Sequence, residues 1–196
     1  MTQYARPTAD VTVESSTGYM GNTIGWSDGS GGTSNIYQLV DEATLSTGDY
    51  ALYSSAGGEN PRSLELQLGT ISEPSDLTTV VVSITSKRST SDFACTIYLK
   101  YGSTNIKSWS MPADGSATTN TTALSSTEAN AIKSAVSTAG HSDWSDLHLK
   151  FTGDDDNPYK SAYVYQCFVQ AGAAGGGGGS TPIAAISMNH YRQQRI

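Results

Sequence analysis

Three histidines (His141, His148 and His190) and two cysteines (Cys95 and Cys167) are the side chains from which a metal centre or a nucleophilic site would have to be built. A zinc-type centre needs ligands at short regular spacing, and no two of these residues stand at i, i+4 or in an H-x-E arrangement. Serine is so frequent, 28 of 196 residues, that a Ser/His/Asp trio is expected by chance, and no serine is assigned to a nucleophile elbow. Gly153-Asp-Asp-Asp-Asn-Pro158 gathers the oxygen ligands that calcium prefers. It lacks the glycine and distant glutamate of an EF-hand, and Asn-Pro is ordinary turn chemistry, so it is read as a solvated turn. Asp28, in Ser27-Asp-Gly-Ser-Gly-Gly, is read as a loop residue in the same way. The expectation is therefore no catalytic residue, no metal and no cofactor: the chain is read as a non-enzyme.

Binding chemistry is a different matter. Trp26, Trp109 and Trp144, with Tyr159, Tyr163 and Tyr165, could form the flat platforms on which sugar rings stack. Trp109 alternates with polar neighbours and Trp144 adjoins an apolar run, so both are placed in the core. Trp26, beside a glycine-rich loop, is the one expected at the surface. The C-terminal end offers the stronger signal. Residues 175–179 are five consecutive glycines, which no packed element accommodates cheaply because each loses the most backbone entropy on ordering. Residues 172–182 are therefore read as a linker. Beyond it, residues 183–196 carry two arginines, no acid and several apolar side chains. Ile183, Ile186, Met188, Tyr191, Arg192, Arg195 and Ile196 are the candidate partner-binding residues of a tethered docking arm, which could bind by adding a strand to a sheet.

Residues 1–171 must form the body that carries this arm. Short β-branched and aromatic runs recur between Gly, Ser, Asn, Asp and Pro clusters: 10–14, 36–40, 50–54, 63–68, 78–86, 93–101, 106–111, 147–151 and 162–170. In Leu64-Glu-Leu-Gln-Leu and Leu147-His-Leu-Lys-Phe the apolar residues alternate, as half-buried strands require. On that pattern His148 faces solvent or a neighbouring strand. Thr79-Val-Val-Val-Ser-Ile reads instead as a central strand covered on both faces. One helix interrupts the strands: Ser125-Ser-Thr-Glu128 is a capping box, Ala129, Ile132, Ala135 and Val136 form an apolar stripe, and Gly140 supplies the stop. The fold class is all-β: a jelly-roll-like antiparallel β-sandwich with one short helix and an extended C-terminal arm.

Composition and charge narrow the partners. Serine and threonine together number 51, tyrosine 11, and only 15% of residues are charged, which is the chemistry of pleated sheet rather than of disorder. The net charge is −7. Residues 1–80 hold ten acids against Arg6 and Arg62, a balance of −8, while residues 81–196 hold eight acids and nine bases, a balance of +1. Such a surface repels polyanions, so no nucleic acid is expected as a partner. No apolar run reaches the length needed to span a bilayer, no leader is read at the N-terminus, and the two cysteines are read as buried free thiols. These features point to manufacture in a cytoplasm.

The order of several short motifs resembles a known family. Ala5-Arg-Pro-Thr-Ala-Asp-Val11 is followed by Trp26 with its Gly/Ser loop, Ile36-Tyr-Gln-Leu-Val-Asp-Glu42 and Asp49-Tyr50. Then come Ser63-Leu-Glu-Leu-Gln-Leu, Ile71-Ser-Glu-Pro, Ile106-Lys-Ser-Trp109 and a Thr-rich strand. Leu124-Ser-Ser-Thr-Glu128 and Asp143-Trp-Ser-Asp-Leu-His-Leu-Lys-Phe151 complete the series. Together they resemble the β-sandwich domain of structural proteins of tailed bacteriophages. The resemblance implies a virion role, foremost a capsid decoration (cement) protein on the outside of the major capsid protein shell. Its partners would be the major capsid protein and neighbouring copies in a homo-oligomer, and its location the capsid surface after synthesis in the host cytoplasm. The alternative is a tail or fibre accessory module that binds host-surface glycans. The linker, the arm and the loop read from Ser15 to Asn35 lie outside the resemblance.

Overall fold

The computed structural model describes residues 2–17, 23–55, 61–89, 94–153 and 160–172. The linker from residue 173, the arm at 183–196, Tyr159 and the acidic turn at 154–158 lie outside them.

The chain forms strands β1 (Gln3–Ala5), β2 (Pro7–Val13), β3 (Ser15–Thr17), β4 (Thr23–Ser27), β5 (Ala51–Ser54), β6 (Arg62–Leu68), β7 (Val81–Arg88), β8 (Cys95–Tyr101), β9 (Thr104–Ser110) and β10 (Thr118–Ala123). Helix α1 (Ser126–Thr138) follows, then β11 (Leu147–Gly153) and β12 (Ser161–Ala171). They build two antiparallel sheets. One runs β10-β7-β12-β5-β4-β3, with β1 also paired to β12, and the other runs β2-β6-β11-β8-β9. The all-β sandwich with one helix is therefore as the sequence pattern requires.

The alternating leucines do what their period demands. Leu64, Leu66 and Leu68 of β6, Ile97 and Leu99 of β8, and Leu147, Leu149 and Phe151 of β11 all point inward and are buried. They meet Val82 and Ile84 of β7, and Val164, Cys167 and Val169 of β12, from the other sheet. Trp26, Tyr53 and Phe151 bridge the layers, with Trp26 edge-on to Tyr53 at 5.4 Å between centroids and 5.9 Å from Phe151. β7 is buried on both faces along most of its length, as a central strand should be.

Two expectations are corrected. Residues 36–40 are not a strand: Ile36–Leu39 is a 3-10 turn. It is entered through Asn35 at φ 57 and held because Asp10 accepts hydrogen bonds from the Ile36 and Tyr37 amides at 2.9 and 2.8 Å. The stretch from Ser15 to Asn35 is not all loop, since it contains β3 and β4, paired from Ser15↔Gly25 to Thr17↔Thr23. Gly25 has φ 92 inside β4, and a Cβ there would collide with the Glu14 carbonyl.

Helix α1 matches its sequence signals. Ser125 caps it, Glu128 reaches back to the Ser125 amide at 2.7 Å, and Ala129, Ile132 and Val136 are buried. Gly140 follows at φ 73, the left-handed conformation that glycine adopts without strain.

Candidate functional site

The outer face of each sheet carries one concentration of chemistry. On the five-stranded sheet, β6, β8 and β11 each turn their alternate residues outward, and register places His148 opposite Gln67 on one side and Lys100 on the other. Glu65 Oε1 lies 2.8 Å from His148 Nδ1 and 2.5 Å from Lys100 Nζ, while His148 Nε2 lies 3.0 Å from Asp146 Oδ1. Burial pushes the Glu65 carboxyl up, but hydrogen bonds and charge from Lys100 and His148 outweigh it and hold Glu65 below its ordinary value. Both ring nitrogens face carboxylates, so neither is free to act as a base toward a substrate. The cluster is an electrostatic clamp across three strands.

On the seven-stranded sheet, Tyr163 and Tyr165 stand two residues apart on β12 and so share its outer face, while a bulge between Val164 and Gln166 returns Cys167 and Val169 to the core side. Their rings are nearly parallel, 6.2 Å apart at 9°, and Tyr50 stands edge-on to both at 5.3 and 5.9 Å. Lys87 Nζ covers Tyr163 at 5.4 Å from its centroid. Gly29 approaches Tyr50 so closely that a Cβ there would sit 2.8 Å from the ring. Tyr165 is only 7% exposed, and desolvation raises its hydroxyl pKa, with Tyr163 and Tyr50 adding to the effect. These rings pack on one another and on Lys87, with Gly29 against Tyr50, and Tyr50 and Tyr163 remain half-buried. Nearby, Tyr4 lies edge-on to Phe168 at 5.6 Å, and the Arg6 guanidinium lies over the Tyr4 ring at 5.0 Å.

The other singled-out residues find structural places. Trp26 is fully buried, with Nε1 donating to the Arg62 carbonyl at 3.2 Å, so the surface position read for it is corrected. Gly25 beside it admits the Glu14 backbone, while the glycine-rich stretch that follows, from Gly29 to Gly32, does form an exposed loop. Trp144 is fully buried and Trp109 half-buried against the core. His141 Nδ1 and the Tyr101 hydroxyl are 2.7 Å apart. Asp28 Oδ1 accepts from the Ser30 and Gly32 amides, both at 2.8 Å, and closes its own loop. Cys95 and Cys167 are buried free thiols, and desolvation pushes Cys95 up to about 12 and Cys167 higher still. The partner-binding set Ile183, Ile186, Met188, Tyr191, Arg192, Arg195 and Ile196 lies outside the described residues, as does Asp154–Asp156.

Gly25-Trp-Ser-Asp-Gly29 does spell G-x-S-x-G. A nucleophile elbow needs that serine exposed on a turn between strand and helix. Here Ser27 is the last residue of β4, paired with Leu52 and 3% exposed, and the chain continues into bends rather than a helix. The spelling is there and the elbow is not. Among the described residues, no group of three His, Cys, Asp or Glu side chains is arranged to hold a metal ion, and no helix is long and apolar enough to cross a membrane.

The sequence matches no protein-family model and no curated protein. Among solved structures, the chain is similar to the CBM36-1 domain of a multidomain xylanase from the hindgut metagenome of Trinervitermes trinervoides. The TM-score is 0.37 and the identity 8%, over 89% of this chain and 99% of that one. No residue role is carried across from it.

Proposed function

We propose that the chain is a structural protein of a tailed-bacteriophage virion: a capsid decoration protein that binds the outside of the major capsid protein shell and reinforces it without catalysis. The observation that carries this reading is the way the motifs of the family resemblance are joined. Asp10 of the first motif holds the amides of Ile36 and Tyr37 in the third. Ile71 bridges to Trp144, whose amide donates to the Ile71 carbonyl at 2.9 Å. Lys107 pairs with Glu128 of the capping box at 3.0 Å. The motifs thus serve as long-range fastenings of a rigid body, which is the requirement of an assembly component.

The arm at 183–196 is then the second contact of a bivalent attachment. Tethering through the glycines makes that contact intramolecular once the body has docked, which raises retention without a larger interface. Its two arginines and apolar side chains suit a neighbouring copy or the shell protein. The rival reading, a glycan-binding tail or fibre module, draws on the Tyr50, Tyr163 and Tyr165 cluster, but their mutual packing lends it less support.

The test is co-sedimentation of the purified chain with capsid shells that lack it. The full chain should pellet with the shells, and a chain ending at residue 174 should pellet less while keeping its circular dichroism. Failure of the full chain to bind shells, together with specific hits on a glycan array, would favour the rival.

A further inference from the structure

The described strands end in five sheet edges, and four of them are guarded in ways that block pairing with another chain. β1 and β3 are three residues each. β2 begins at Pro7, carries Asp10 and breaks register twice against β6. β9 carries Lys107 and meets β8 through a register irregularity. β10 differs from all of these. Its six residues, Thr118-Thr-Asn-Thr-Thr-Ala123, include no charge, proline or glycine, and they pair with β7 without a break from Thr118↔Ser86 to Ala123↔Val81.

Hydrogen-bond parity fixes which groups of that edge are free. The Leu124 amide donates to Val80 at 3.0 Å, so even-numbered residues direct their N–H and C=O groups toward β7. The groups of Thr119, Thr121 and Ala123 therefore point away from the sheet, and all three residues are exposed. Ala123 already uses its carbonyl to accept from Lys107 Nζ at 3.2 Å. Thr119 Oγ1 bonds Thr85 Oγ1 across the outer face at 2.8 Å, and Asn120 Nδ2 donates to Asp114 Oδ2 at 3.3 Å on the opposite side. The half-buried Trp109 lies on the neighbouring edge strand of the facing sheet, and large aromatics of this kind anchor protein interfaces.

We infer that β10 is an association edge that pairs antiparallel with β10 of a second copy of this chain, about a two-fold axis through Asn120. In that register Thr119 faces Thr121 of the second copy, and Thr118 faces its Thr122. The Thr119 and Thr121 groups exchange four backbone hydrogen bonds, and the Ala123 carbonyl keeps its bond to Lys107. Threonine opposite threonine is a favourable cross-strand pair. The occupant is a second copy because the strand is self-complementary in this register. None of its own six residues is charged, so the pairing sets no like-charged strand residues opposite one another. The inference concerns the body and does not depend on the arm or on a capsid.

Sedimentation velocity of the full chain at about 100 µM should show a dimer, the concentration suiting a small interface. Thr121→Lys places two ammonium groups together on the paired edge and should weaken the dimer at least tenfold, with melting temperature and circular dichroism unchanged. Thr119→Pro removes an N–H that β7 does not use and should act in the same direction. Thr70→Lys, an equal charge change at an exposed position outside β10, should leave the dimer intact. A chain monomeric at that concentration would overturn the inference, as would a dimer indifferent to Thr121→Lys. So would a dimer lost in Arg192→Glu/Arg195→Glu but kept in Thr121→Lys, since it would rest on the arm.

Discussion

Asp10 and Ile36, 26 residues apart, are joined by a 2.9 Å hydrogen bond from the Ile36 amide to the Asp10 carboxylate. The second carboxylate oxygen accepts from Tyr37, so one side chain terminates an irregular segment and fastens it to an edge strand of the five-stranded sheet. Asp10→Ala leaves both amides without that acceptor. The expected cost is about 1–3 kcal/mol, read as a lower urea midpoint with unchanged slope. Asp10→Asn should recover part of it, because one amide oxygen still accepts.

Acid should loosen the clamp on the five-stranded sheet. Glu65 is held below its ordinary value of 4.5, so its stabilising effect is complete above that pH and is lost as the pH falls through the folded-state value. Glu65→Gln should lower the melting temperature at pH 7, by an effect of about 1–2 kcal/mol, and should flatten the decline between pH 5 and 3. A variant that melts in parallel with the native chain across that range would show that Glu65 does not set the acid limb.

The burial of Trp26 makes two separable statements. Trp26→Ala removes the aromatic bridge between sheets and should cost about 3–5 kcal/mol. Trp26 and Trp144 are both fully buried while Trp109 is partly exposed, so acrylamide should quench mainly the emission of Trp109. Trp109→Phe should therefore remove most of the quenchable fluorescence. Strong residual quenching in that variant would place another tryptophan in contact with solvent.

Gly25 tests the backbone reading directly. Its φ of 92 and the collision that a Cβ would make with the Glu14 carbonyl oppose any side chain. Gly25→Ala should destabilise the β3–β4 pairing by about 1–3 kcal/mol, seen as loss of amide protection in β3 and β4 before the rest of the sandwich. Uniform protection would contradict it.

What was legible in the sequence followed from local periodicity. The leucines of β6, the Leu147–Phe151 alternation of β11 and the capping box at Ser125 announce their own structures, because the deciding contacts lie within a few residues. Residues 36–40 misled because their β-branched and aromatic content was outweighed by a carboxylate 26 residues away. β4 was hidden for the opposite reason: glycine and serine beside Trp26 look like a loop signal, yet Gly25 is small to admit the Glu14 backbone. The Glu65–His148–Asp146–Lys100 clamp was invisible because its register is set by strand pairing 83 residues apart. The edge of β10 emerged only once sheet order was known, since Thr-Thr-Asn-Thr-Thr carries no periodic apolar signal at all.

The proposal that this is a capsid decoration protein is tested most directly by counting. Quantitative mass spectrometry of purified virions from the culture that makes this chain should find it in fixed, near-stoichiometric proportion to the major capsid protein. Its absence from those particles, or a copy number matching tail components instead of the shell, would contradict the account.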